Sequence, residues 1–128
     1  MRKRYEIDVW GTVLFLDLGS SKVGEVAIDA AVEGVKKFVY GVDEDFSTYK
    51  DGSFVSRLRR REIAIEQCPA DVQEVWQLCA VARDLTGGAF DPWAVAGGFD
   101  PSGYVKGWAA DRVALMLMDA DCENVQVN

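Results

Sequence analysis

Thr86–Asp111 reads TGGAFDPWAVAGGFDPSGYVKGWAAD, and the rest of the chain is organised around it. The stretch holds six of the twelve glycines and two of the three prolines. The tripeptide Phe-Asp-Pro occurs in it twice, at Phe90–Pro92 and Phe99–Pro101. Glycine and proline at this density break regular structure. Helical periodicity holds on both sides, so the stretch reads as a loop fixed between two helices. Loops held in this way are where binding chemistry concentrates. Asp91, Asp100 and Lys106 all fall within the stretch.

On the N-terminal side, Val72, Val75, Trp76, Cys79 and Ala82 form an apolar helical stripe. Pro69 and Asp71 open that helix, Glu74 stands at capping-box spacing from Asp71, and Gly87-Gly88 is the stop signal. Cys79 lies on the stripe and reads as core. On the C-terminal side a helix begins at Ser102 or Gly103, with Val105, Trp108, Ala109, Val113 and Met116 on its buried face. Asn124–Asn128 then alternates as a strand, and the chain stops inside it.

Further upstream, Tyr5, Ile7 and Val9 alternate with Glu6, Asp8 and Trp10, the period of a half-buried strand. Gly11-Thr12 interrupts the pattern, as a hairpin corner or as a bulge approached by a ligand. Val13–Leu16 continues it. Gly19-Ser20-Ser21 is a turn in which either serine can cap the next helix. Ile28, Ala31, Val32, Val35, Phe38 and Val39 predict that helix, ending near Gly41, with Asp43-Glu44-Asp45 as an acidic turn. Phe46 reads as core. Tyr49 is a candidate to lie against a planar ligand. Phe54–Leu58 predicts a short helix, and Glu62–Ile65 a short strand. Arg57, Arg59, Arg60 and Arg61 read as a solvated face with one arginine paired internally. The order predicts an α+β fold, a mixed and mostly antiparallel sheet with helices packed on it, in one domain over residues 1–128.

The totals exclude several functions. The chain has 128 residues and a net charge of −7, which argues against nucleic-acid binding through phosphate neutralisation. There is no histidine, so no imidazole in this chain serves as base or ligand. Cys68, Cys79 and Cys122 are too few and too scattered for a disulfide framework or a zinc site. They suit a reducing compartment. Met1–Arg4 is basic, but Val13–Leu18 is short and carries Asp17, so no signal peptide, lipoprotein anchor or membrane span is expected. The expected location is the cytoplasm.

The loop suggests its own chemistry. The helix after it offers free N–H groups, which favour anions. Lys106 near that end is disfavoured by the helix dipole, a conflict that a bound phosphate would relieve. Asp91 and Asp100 each precede a proline and can accept backbone N–H groups as turn caps. They can also accept from a ribose or ring N–H, or face a metal carried by phosphates. Neither a Walker A pattern nor a dinucleotide fingerprint is present.

TGGAFDP, DPSGYVKGWAAD, WGT near the start and FSTYKDGSFVSRL in the middle together resemble the ApbE family of FAD:protein FMN transferases, and the resemblance covers almost the whole chain. That family uses FAD and magnesium to attach FMN to a threonine or serine of an acceptor flavoprotein, releasing AMP. The resemblance implies FAD contacts at Trp10, Tyr49, Ala89, Phe90, Asp91, Asp100 and Lys106, and a magnesium contact at Gly103. Trp10 stands where the family commonly has methionine. The family's later half supplies most magnesium ligands, and it lies beyond Asn128. The chain is therefore expected to be an incomplete, C-terminally truncated ApbE-like domain. It is either a weak enzyme or an inactive FAD-binding module. A complementary chain or a homodimer is a possible partner.

Overall fold

A computed structural model describes all residues from Met1 to Asn128. Two strands, β1 (Arg2–Val9) and β2 (Thr12–Gly19), pair antiparallel with Val9 opposite Thr12. Only Trp10 and Gly11 lie between them, at φ 58° and 71°. Positive φ at both central residues is the hairpin turn whose twist matches the strands. Gly11 is thus a hairpin corner and not a bulge. Strand β3 (Asn124–Val127) pairs antiparallel with β2, giving the order β1-β2-β3. The sheet is wholly antiparallel, simpler than the mixed sheet expected.

Four α-helices accompany it: α1 (Glu25–Phe46), α2 (Phe54–Arg59), α3 (Ala70–Leu85) and α4 (Ser102–Asp119). The fold is α+β. The chain divides into two compact units, one of Met1–Asp43 with Ala109–Asn128, the other of Glu44–Trp108.

The first unit follows from alternation. Ile7, Val9, Leu14, Leu16 and Leu18 point to one face of the sheet and are buried. Arg4, Glu6, Asp8 and Asp17 take the other face, the two-sided pattern of an antiparallel sheet with one face in water. Ile28, Val32, Val35 and Val39 of α1 and Val113 and Leu117 of α4 cover the apolar face. Burying each such side chain contributes about 1.5–3 kcal/mol. Ser20 ties the unit's edge together. Its N–H and C=O exchange bonds with Met1, and its Oγ donates to the Asp121 carbonyl. That Oγ also accepts from the N–H groups of Lys22 and Val23. Ser20 therefore caps a turn, and α1 begins only at Glu25.

Helix α1 does not stop at Gly41. It runs to Phe46, and Asp43-Glu44-Asp45 lies inside it. An exposed glycine costs a helix only about 1 kcal/mol against alanine. Val42 and Phe46, both buried, continue the apolar stripe and outweigh that cost.

In the second unit the strand expected at Glu62–Ile65 is absent. Arg61 takes φ 60° after α2, and Glu62 N–H returns to the Arg57 carbonyl at 2.9 Å. This left-handed cap ends the helix. A single 3-10 turn, Ile65–Gln67, follows, with Gln67 Oε1 accepting from the Ala64 N–H. Helix α3 has Pro69 as its N-cap, and the reciprocal Asp71–Glu74 box does not form. Instead Glu74 Oε2 accepts from the Trp108 indole at 2.7 Å. The helix ends at Thr86 with Gly87 at φ 62° and Gly88 N–H bonded to the Arg83 carbonyl, as the glycine signal predicts. Cys79 is fully buried, and burial pushes its thiol up to about 11. It is core and not a nucleophile.

A polar clamp joins β1 to α1. Tyr5 Oη and Lys3 Nζ both donate to Asp29, and Lys3 also pairs with Glu25 at 2.6 Å. The hydrogen bond from Tyr5, then that from Lys3, holds the Asp29 carboxyl below its ordinary 3.8. Burial first, and Asp29 second, push the Tyr5 phenol up to about 12. A carboxyl lowered by folding stabilises the fold fully above its unfolded value, and the effect is lost as pH falls through the folded value. Wild type should therefore melt above Asp29→Asn at neutral pH, with the gap closing below about pH 4. Thermal melts across an acid titration check this, and a gap independent of pH would contradict it.

Candidate functional site

The segment Thr86–Pro101 connects α3 to α4 without regular structure. Its backbone groups must find partners in irregular ways. Thr86 Oγ1 accepts the Phe90 N–H at 3.0 Å, and Asp91 Oδ1 accepts that of Trp93 at 3.0 Å. Asp100 N–H crosses the loop to the Pro92 carbonyl at 2.9 Å, tying one Phe-Asp-Pro copy to the other. Asp100 Oδ1 accepts both the N–H and the hydroxyl of Ser102, the first residue of α4. Beneath the loop, Trp76, Trp93 and Phe99 pack ring on ring with centroids 4.7–5.2 Å apart. The Arg83 guanidinium lies 4.5 Å from the Trp93 ring centre.

Seven of the eight residues singled out from the sequence lie in the unit Glu44–Trp108. Asp91 and Asp100 are brought together by the Pro92 bond. Phe90 and Gly103 are neighbours, since a Cβ on Gly103 would stand 3.6 Å from the Phe90 ring. Ala89 is exposed at the loop's start. Lys106 is exposed, the fifth residue of α4, and makes no ion pair. Tyr49 is 96% exposed, in the turn before α2, and no contact ties it to the loop. Trp10 belongs to the other unit. Its ring packs on the sheet core, and its Nε1 is buried without a hydrogen-bond partner.

The N-terminus of α4 is not an open anion site. Asp100 already caps Ser102, and the Tyr104 and Val105 N–H groups both bond to the Pro101 carbonyl. The turn-cap reading of Asp91 and Asp100 holds for both. Each uses Oδ1 for its cap and leaves Oδ2 unengaged. The loop therefore offers two carboxylate acceptors and, from α4, one unpaired ammonium.

FAD fits these residues in part. Its hydroxyl and amine donors suit the free Oδ2 atoms, its phosphates suit Lys106, and its rings suit an exposed tyrosine. Magnesium does not find a built site: no group of three His, Cys, Asp or Glu side chains gathers to hold a metal. Gly103, inside α4, offers a carbonyl directed along the helix ladder.

Two features escaped the sequence reading. Ser53 and Ser56 both donate to the Ser47 carbonyl, and Ser53 caps α2 by accepting the Ser56 N–H. The spacing of these serines was the available signal. The internally paired arginine is Arg59, which reaches three carbonyls of the loop. A shallow cavity of about 280 Å³ in the first unit is lined by Arg2, Lys3, Arg4, Asp17, Leu18 and Gln126. Two of its cations are engaged, Arg4 with Asp17 and Lys3 with Glu25 and Asp29.

The sequence matches no protein-family model and no curated protein. Solved structures do match it. The flavin transferase ApbE of Vibrio cholerae superposes over 100% of this chain and 57% of its own, at TM-score 0.86 and 17% identity. The flavinyl transferase ApbE of Pseudomonas stutzeri, in its apo form, matches 100% of this chain and 53% of its own, at 0.85 and 17%. The ApbE protein of Thermotoga maritima matches 100% and 56%, at 0.82 and 16%. The chain thus has the fold of ApbE flavin transferases, and it spans little more than half the length of these structures.

The loop's two roles separate by mutation. Asp100→Ala removes the acceptor of the first α4 N–H and should cost about 0.5–1.5 kcal/mol. Lys106→Ala, at an exposed position without a partner, should stay within about 0.5 kcal/mol of wild type. Urea unfolding of both variants measures this, and a large loss at Lys106 would show a structural role there.

Proposed function

We propose that this chain holds FAD for a flavin transferase that moves FMN onto a serine or threonine of an acceptor flavoprotein. The observation that carries the reading is the self-capped loop, with the free Oδ2 atoms of Asp91 and Asp100 and the unpaired Lys106. The fold it shares with flavin transferases supports it. Asp91 and Asp100 accept from hydroxyl or amine donors of the ligand. Lys106 faces its phosphates as a point charge. Tyr49 offers a flat face, and Ala89 and Phe90 line the loop.

In the reaction the acceptor's hydroxyl oxygen attacks the phosphorus on the FMN side of the pyrophosphate. The P–O bond to AMP breaks, AMP leaves with the electron pair, and the hydroxyl proton passes to a base. No histidine exists here to be that base. We assign no step to magnesium, because this chain builds no ligand set for it. The base and the metal ligands would come from residues other than those of this stretch. Three free, buried cysteines support the cytoplasmic assignment. No helix is long and apolar enough to cross a membrane.

That same lack of a metal-ligating group favours a second reading, a flavin-holding module that transfers nothing by itself. Flavin fluorescence titration tests the shared part. FAD should bind saturably, and Lys106→Ala should weaken it about tenfold, a loss of one charge-assisted contact. No saturable change with wild type would overturn both readings. Mass spectrometry of an acceptor flavoprotein incubated with FAD, magnesium and this chain then separates them, since FMN on the acceptor excludes the module.

A further inference from the structure

We propose that Arg59, at the end of α2, is a positioning residue that sets the geometry of the Phe90–Pro101 loop and aims Asp100 at the ligand. The aiming of Asp100 rests on the flavin reading above; the clamp itself does not.

Arg59 Nη1 donates to the carbonyls of Gly98 and Phe99, both at 3.2 Å, and Nη2 to that of Ala96 at 3.0 Å. Three carbonyl oxygens converge on one guanidinium. Without a cation between them, their dipoles would repel and the loop would open. Arginine suits the task because its planar fork presents several donors in fixed directions, where lysine offers only a point charge. No carboxylate pairs with Arg59, so its hydrogen bonds go to the loop alone.

The glycines make the approach possible. Gly97 and Gly98 stand at φ 89° and 100°, a region that side chains rarely adopt. A Cβ on Gly97 would lie 2.4 Å from Arg59 Nη2. The AGGF sequence therefore turns its carbonyls toward Arg59 and leaves room for it.

The consequence reaches Asp100 through one peptide group. The Phe99 carbonyl takes a bond from Arg59, while the N–H of the same peptide, on Asp100, bonds to the Pro92 carbonyl. That peptide plane is held at both ends. It fixes where Asp100 leaves the backbone, hence its cap on Ser102 and the direction of its free Oδ2. Arg59 touches neither the cap nor a ligand and acts through the loop.

The test uses the full chain with Arg59→Ala, Arg59→Lys and Gly97→Ala. Hydrogen exchange is read across Ala96–Asp100 and FAD affinity by flavin fluorescence. Arg59→Ala should speed exchange in the loop, leave α3 protected, and weaken FAD about tenfold, the scale of lost charge-assisted bonds. Millimolar guanidinium should restore both, and equal sodium chloride should not. Arg59→Lys should restore neither. Gly97→Ala should loosen the loop at least as much as Arg59→Ala, because its Cβ meets Arg59 and is also strained at φ 89°.

Unchanged loop exchange in Arg59→Ala would overturn the clamp. Faster exchange with unaltered FAD affinity would overturn the aiming of Asp100. If wild type binds no FAD, the flavin reading fails, and exchange alone decides the clamp. Should Arg59→Ala not fold, Arg59→Gln, which keeps a single amide donor, is measured in its place.

Discussion

An irregular segment between two helices has to satisfy its own backbone, and in this chain that constraint falls on Thr86–Pro101. A helix or a strand pairs its peptide groups by repetition. A loop longer than most connections cannot, and every peptide group it shields from water must find an individual partner. Here the partners are Thr86, Asp91 and Asp100 for N–H groups and Arg59 for carbonyls. Backbone pairs such as Asp100 N–H to the Pro92 carbonyl satisfy others. Carboxylates and a hydroxyl take the donors, and the guanidinium takes the acceptors. The aromatic stack of Trp76, Trp93 and Phe99 then supplies the burial that polar bonds alone do not. Rings in such pairs gain about 0.5–1.5 kcal/mol beyond their buried area.

The periodic parts of the fold were legible in the sequence. Tyr5, Ile7 and Val9 alternate because one face of the sheet meets α1 and α4, and α3 shows its stripe because one side is buried. Gly87 ends α3 visibly, since glycine accepts the left-handed cap freely. Two other helix ends use the same cap without the signal. Arg61 follows α2 at φ 60°, and Asp121 follows α4 at φ 67°. A non-glycine residue in that role carries a cost offset by tertiary contacts, which sequence pattern does not display. This let Glu62–Ile65 read as a strand. Gly41 misled in the opposite sense. It looked like a stop, but nothing near it turns the chain, and buried Val42 and Phe46 carry the helix through.

The loop's chemistry was legible in residue type and not in orientation. Spacing gave a helix N-terminus, a lysine and two aspartates, and an anion at the helix end was the simplest combination. Only the hydrogen bonds show that Asp100 has taken that end. A carboxylate bonded to the first N–H of a helix competes with a phosphate for that group and repels it by charge. Arg59 was equally obscured. Within a run of basic residues, no local feature distinguishes the one that turns inward. The glycine pair that receives it lies far along the chain.

Occupied caps change what kind of ligand the loop suits. Had the α4 N-terminus been open, the loop would have offered donors to an anion. With Asp91 and Asp100 each using one oxygen for the backbone, what remains outward is one acceptor oxygen apiece, held rigid by the cap it shares a carboxylate with. A ligand satisfying this loop therefore needs hydroxyl or amine donors for the carboxylates and a separate negative group for Lys106. A dinucleotide with a ribose hydroxyl, a ring amine and a pyrophosphate has all of these, whereas inorganic phosphate has only the last. In the proposed reading, the two carboxylates meet the organic part of the ligand, and the lysine its charge.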